Sequence, residues 1–234
     1  MAIRAVLFDW GGTLVRGEQF ALGVPVASVA GFLRQRVHIE IDRAAFERAF
    51  EVVMASPPGG VAPNIDSLLA TALNSLGISA AASDVDACSR LFFDGATRTL
   101  ALYEDARAAL ASLHYQGYRC AILADDIFPA RLLQRKLNEF DITGYVDVLV
   151  SSADVGVAKP DASMFLRALS RLNLEPHEGL FVGDSVETDI AGARRINMRA
   201  VLLDRRQKRK EASGYLVIHQ LSALNDLLGE SGAR

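Results

Sequence analysis

Residues 4–14 read Arg4-Ala5-Val6-Leu7-Phe8-Asp9-Trp10-Gly11-Gly12-Thr13-Leu14. Four apolar residues run straight into an acid and then a glycine pair, the pattern of a fully buried strand feeding a tight turn. Open α/β sheets bind ligands at the carboxyl ends of such strands, so Asp9 stands where a site residue would stand. A lone strand is not stable. Its partners must therefore lie further along the chain.

They begin after about Tyr103, where helix and short apolar strand alternate. The pattern predicts a helix from Asp105 to Gln116, a strand Tyr118–Ala124, a helix Pro129–Phe140, a strand Val146–Val150 and a helix Asp161–Leu172. A strand Gly179–Gly183, a helix Thr188–Arg195 and a last strand Arg199–Leu203 follow. This alternation specifies an α/β fold, a parallel sheet with helices on both faces. The residues between are different in kind. Val26, Val29, Ala30, Leu33 and Val37, then Phe46, Ala49, Phe50 and Val53, then Ile65, Leu68, Leu69, Ala72, Leu73 and Leu76 recur at spacings of three and four. They predict a bundle of about four helices, broken by the loop Ser56-Pro57-Pro58-Gly59-Gly60. Residues 1–14 and 101–234 are accordingly expected to form one core, with 15–100 as an all-helical insertion.

Composition excludes the extremes. The 234 residues carry 25 Lys and Arg against 28 Asp and Glu, a net charge of −3, and half of them are hydrophobic. A chain of this length buries roughly 70% of its extended surface, enough for a full core. The acidic balance argues against a nucleic-acid partner. No apolar run approaches the length of a membrane span, and Ala5–Phe8 is too short for a signal peptide. Cys88 and Cys120 follow no metal-ligand spacing and read as reduced packing residues, which suits a cytoplasmic protein. His38, His114, His177 and His219 fit no ligand spacing either. The charge run of Arg205, Arg206, Lys208, Arg209 and Lys210 reads as a solvated loop.

Four strand ends deliver polar groups: Asp9, then Asp125 and Asp126, then Lys159, then Asp184 and Asp189. On a parallel sheet they converge on one edge. Carboxylates from two strands, with no Cys or His beside them, are the ligand set a hard cation such as Mg²⁺ prefers. A lysine beside them can hold a phosphate or a carboxylate. The cluster can therefore attack phosphorus with a carboxylate while metal and lysine neutralise the equatorial oxygens. The bland alternatives are that Asp184 and Asp189 cap the following helix, that Lys159 is a solvated loop residue, and that Trp10 packs under the helical block instead of lining an entrance.

Phe8-Asp9-Trp10-Gly11-Gly12-Thr13-Leu14, Ala158-Lys159-Pro160-Asp161 and Val182-Gly183-Asp184-Ser185-Val186-Glu187-Thr188-Asp189 together resemble the haloacid dehalogenase-like (HAD) hydrolase superfamily over essentially the whole chain. The resemblance implies a Rossmann-like core with a helical cap inserted after the first motif. It implies that Asp9 is the nucleophile of a covalent aspartyl-phosphate, that Lys159 steadies it, and that Mg²⁺ is held by Asp9, the Gly11 carbonyl and Asp184, with Asp189 in support. A small phosphorylated metabolite is the implied substrate, and a phosphatase the implied enzyme.

Two positions depart from the family pattern. Phosphatases of the family usually carry a second acid two residues after the nucleophile, and here that residue is Gly11. The second motif usually offers Ser or Thr to the phosphate, and here it is Ala124, followed by Asp125 and Asp126. These departures predict a slow enzyme, or a protein that keeps the pocket only to bind a phosphorylated ligand or a partner. Asp125 or Asp126 could replace the missing proton shuttle, or cap the following helix. Phosphonate-cleaving relatives use a cap lysine, and none of Lys136, Lys159, Lys208 and Lys210 lies in the insertion. Dehalogenase relatives also lack the second acid, but they need no metal and differ in the fourth motif.

Overall fold

The computed structural model describes residues 2–17, 21–57, 61–207 and 214–232. Six strands form one parallel sheet: β1 (Ala5–Asp9), β4 (Arg119–Ala124), β5 (Val148–Ser151), β6 (Gly179–Gly183), β7 (Arg199–Leu203) and β8 (Leu216–Ile218), in the order β5-β4-β1-β6-β7-β8. The fold is therefore the α/β class its sequence pattern specifies, with strand ends within two residues of expectation. Arg199–Leu203 is not the last strand, however. β8 follows it, and at three residues it is too short to show a period.

The continuous apolar runs are explained by burial on both sides. Val6 and Phe8 of β1 face one hydrophobic layer together with α5 (Ala106–Tyr115) and α6 (Ala130–Glu139). Ala5 and Leu7 face the opposite layer, closed by α8 (Ala162–Leu172) and Ala193 of α9 (Ala191–Arg195), where Phe165 meets Phe181 edge-on at 4.9 Å between centroids. The period of two along β1 places its acid at the sheet's edge and its hydrocarbon in both layers. The strand order runs outward from β1 in both directions, through β4 to β5 and through β6 to β7. The crevice beside the carboxyl ends of β1 and β6 is therefore the topological switch point, where such sheets take ligands.

Between β1 and β4 lie the four expected helices: α1 (Gly23–Arg36), α2 (Arg43–Ala55), α3 (Ile65–Ser75) and α4 (Ala82–Ala96). A two-stranded antiparallel flap, β2 (Val15–Arg16) with β3 (Ala101–Leu102), joins the way into this block to the way out. The predicted loop at 56–60 is described only as far as Pro57, and residues 58–60 lie outside the described residues.

The block is seated on the sheet's neighbours by aromatic packing. Phe93 meets Phe128 edge-on at 5.0 Å, and Phe92 lies 6.4 Å from the same ring. Arg131 of α6 pairs with Asp66 (2.7 Å) and Asp86 (2.8 Å), and Arg135 with Asp94 (3.0 Å). Ion pairs this exposed contribute about 0–1 kcal/mol each, whereas a fully buried Phe contributes about 1.5–3 kcal/mol. The rings hold the block and the arginines set its register.

Candidate active site

Lys159 is the centre of the site. It lies in the loop after β5 and the short helix α7 (Ser152–Val155), and its side chain is only 2% exposed, so it is no solvated loop residue. Its ammonium donates to Asp9 Oδ1 (2.5 Å) and to Asp189 Oδ1 (2.7 Å). Burial alone would lower the lysine's pKa, but Asp9, Asp189 and Asp125 outweigh it and hold the ammonium above its ordinary value. Two carboxylates share this one buried cation. Burial therefore pushes the Asp9 carboxyl up to about 7, with Lys159 pulling it down and Asp189 and Asp184 pushing it further up.

Asp189 is aimed by an unusual turn. Residues Val186–Ile190 form a π-helical turn, in which the Ile190 N–H donates to the Ser185 carbonyl at 3.2 Å. Such wide turns recur at functional sites because they re-aim side chains. The Ser185 N–H donates to Asp189 Oδ2 (3.0 Å), and Ser185 Oγ accepts from the Thr188 N–H (3.2 Å). Ser185, not Asp184 or Asp189, is the cap. The Asp189 carboxylate lies across Gly183, where any Cβ would collide with it. Asp184 is exposed and stands against Gly12, whose φ of +80° and contact with the Asp184 carboxylate both exclude a side chain.

Asp9, Asp184 and Asp189 each bring a carboxylate oxygen within 4.8 Å of the others. Asp9 Oδ2 is buried with no hydrogen-bond partner. An orphaned carboxylate oxygen in an all-oxygen cluster fits a hard cation.

The remaining predicted residues separate. Gly11 is exposed and lines a cleft of about 410 Å³ together with Trp10, Gly12 and Asp125. Besides lining this cleft, Trp10 packs its ring toward Phe140, the residue that ends α6, at 6.4 Å. Ala124 is fully buried in the core layer and presents no donor. Asp125 is exposed as a residue, but its carboxyl is partly covered where Oδ1 accepts the Lys159 backbone N–H (3.0 Å), and that partial burial raises its pKa. Asp126 Oδ1 accepts the Phe128 N–H (3.1 Å) and its own N–H donates to Ser152 Oγ (3.0 Å). Its carboxyl, pushed up to about 6 by burial, caps the turn.

The basic run is not wholly a solvated loop. The Arg205 guanidinium makes two bonds to the Asp105 carboxylate (2.9 and 3.1 Å), one to the Thr13 carbonyl (2.8 Å), and stacks 3.9 Å over Tyr103. Arg206 is exposed, and Lys208, Arg209 and Lys210 lie outside the described residues. Sequence gives no signal for this clamp, because Arg205 and Asp105 are a hundred positions apart and neither belongs to a motif. Cys88 and Cys120 are free and buried as expected, and burial pushes both thiols up to about 12. Among the described residues no helix is long and apolar enough to cross a membrane.

A parallel sheet that brings two strand-end acids and a π-turn acid around one buried lysine defines an α/β enzyme core with carboxylate chemistry. The chain belongs to the haloacid dehalogenase-like hydrolase family, whose sequence model matches residues 3–197. It is similar to the ribulose-1,5-bisphosphate 5-phosphatase of Halopiger xanaduensis (36% identity over 45% of this chain and 43% of that one). It is also similar to the phosphoserine phosphatase of Thermus thermophilus (33% over 53% and 50%). The matches thus span about half the length of these curated relatives. Among solved structures, a HAD phosphatase from Thermococcus onnurineus superposes with a TM-score of 0.63 at 25% identity, covering 97% of this chain and 98% of that one. A 2-haloacid dehalogenase from Pseudomonas syringae gives a TM-score of 0.71 at 22% identity, covering 98% and 99%.

Proposed function

We propose that this hydrolase is a Mg²⁺-dependent phosphatase of a small phosphorylated metabolite, with Asp9 as nucleophile and residues 15–100 acting as a cap. The observation that carries the reading is the division of labour on Asp9: Oδ1 is held by Lys159, while the buried Oδ2 has no partner. Asp9, Asp184 and the Gly11 carbonyl would hold the cation, with Asp189 supporting, and bound Mg²⁺ would supply charge neutralisation to the phosphoryl oxygens. An Asp9 carboxylate oxygen attacks phosphorus, the bond to the ester oxygen breaks, and the departing alkoxide takes a proton from solvent water. Water then attacks the aspartyl-phosphate at phosphorus and frees phosphate and the Asp9 carboxylate. Lys159 keeps Asp9 in line and offsets charge on the transferring group.

Phosphate release from a panel of phosphomonoesters, sensitive to chelator, tests the reading. Asp9→Asn is expected to abolish release, and activity surviving that change refutes Asp9 as nucleophile. Metal binding should also depend on pH in a definite direction. With the Asp9 pKa raised to about 7 by burial, Mg²⁺ must displace a proton below that pH. Affinity should weaken about tenfold per pH unit below 7 and level off above it. Calorimetry in buffers of different ionisation enthalpy should register close to one proton released near pH 6, and a pH-independent affinity from 5.5 to 8 counts against Asp9 as a ligand.

Gly11 favours a second reading, since the dehalogenases that the sequence resembles also lack that acid. Chloride release from a short 2-chloro acid, undiminished by chelator, would establish it. The acids Asp184 and Asp189 beside Asp9 support the metal-dependent reading instead.

A further inference from the structure

We propose that the cleft beside Asp9 selects phosphomonoesters whose far end carries a second anionic group, received by Arg16 and Arg206. The inference rests on the phosphatase reading for the identity of the near end. The floor of the cleft is the turn Trp10-Gly11-Gly12, which leads directly out of the nucleophile's strand, and Arg16 and Arg206 line the same space. They arrive from unrelated places. Arg16 is on β2 of the flap, and Arg206 follows the loop leaving β7.

Both adjoin one platform. Arg205, fixed by Asp105 and by the Thr13 carbonyl, stacks on Tyr103, and Arg206 follows it in the chain. The Arg16 guanidinium sits 5.8 Å from the centre of the same ring. Among the described residues neither Arg16 nor Arg206 has an ion-pair partner. The carboxylates of Asp125 and Asp126 line the same cleft, Asp125 Oδ1 accepting the Lys159 N–H and Asp126 Oδ1 the Phe128 N–H, and neither forms an ion pair with the two arginines. One small cleft is thus lined by two unpaired guanidinium groups, whose planar forks suit a carboxylate or a phosphate. Its volume of about 410 Å³ lies near the small end of ligand pockets, roughly 300–1,000 Å³, so the two charges of the substrate are separated by a short carbon chain.

The matched probes are 3-phosphoglycerate and glycerol 3-phosphate, which differ in a carboxylate against a hydroxymethyl group. Their binding to the Asp9→Asn protein with Mg²⁺ present is measured by calorimetry. The phospho acid is expected to bind about tenfold or more tightly, the gain of a charge-assisted contact. Adding Arg16→Gln and Arg206→Gln, both at exposed positions, should bring the two affinities within about twofold. Equal affinities in the intact cleft, including no binding by either probe, overturn the proposal, as does a preference that survives both replacements. Turnover of the two esters by the wild-type protein is measured separately. Preference without turnover removes the phosphatase reading and leaves this one standing, and turnover without preference does the reverse.

Discussion

Replacing Lys159 with methionine is expected to eliminate turnover and to destabilise the metal-free protein by about 3–5 kcal/mol at pH 8, the usual cost of removing one partner from a buried ion pair. Methionine keeps the volume and the apolar stem, so the loss isolates the charge. What remains would be two carboxylates, Asp9 and Asp189, both buried and with their shared donor gone. The pH dependence has a definite sign. Asp9 has a folded pKa raised to about 7 against an ordinary value near 4, so between those limits the folded state binds more protons than the unfolded one. Stability then falls as pH rises and levels off above 7. Without Lys159 the folded pKa of Asp9 moves higher still, and the decline continues beyond pH 7. Denaturant titrations in chelator at pH 5 and pH 8 should therefore show a larger deficit at pH 8. A deficit equal at the two values would mean that Asp9 is ionised throughout and that the lysine acts mainly through Asp189.

That cluster was largely legible in the sequence, for a physical reason. A strand buried on both faces carries no polar residue until it leaves the sheet, so Asp9 and Asp184 interrupt unbroken apolar runs, and Lys159 and Asp189 follow such runs closely. Three of the four inserted helices were legible because their buried faces repeat at helical spacing. The two-residue strands Val15–Arg16 and Ala101–Leu102 were not, since two residues carry no period. Nor was the π-helical turn, which differs from an ordinary helix start only in which carbonyl each N–H reaches. The roles of Asp125 and Asp126 stayed open because adjacent acids look alike in sequence. They are told apart by partners 34 and 2 positions away, the Lys159 N–H and the Phe128 N–H. The Arg205 clamp joins three loops through long-range bonds that leave no local trace.

Restoring an acid at position 11 should be the largest gain available from a single substitution. A Cβ built on Gly11 meets nothing within 4 Å, and the residue lies outside the left-handed region that would strain a side chain. It is exposed, it lines the cleft, and it follows the nucleophile by two residues. Gly11→Asp should therefore be accommodated without rearrangement, unlike a side chain at Gly12, which would strike the Asp184 carboxylate. The new carboxyl would stand on the cleft wall two residues after the nucleophile. From there it can give its proton to the departing alcohol and take one from the attacking water. General acid and base assistance contributes about 10² to 10⁴ in rate. Because the position is open to solvent and no side chain orients the new group, the lower end is the expected gain, about a hundredfold in kcat with little change in KM. The Asp9→Asn, Gly11→Asp double variant should be inactive, since the added acid assists the nucleophile and does not replace it. If Gly11→Asp leaves kcat unchanged while the wild-type protein turns over readily, the proton already comes from another group, and Asp125, facing the same cleft, becomes the residue to replace.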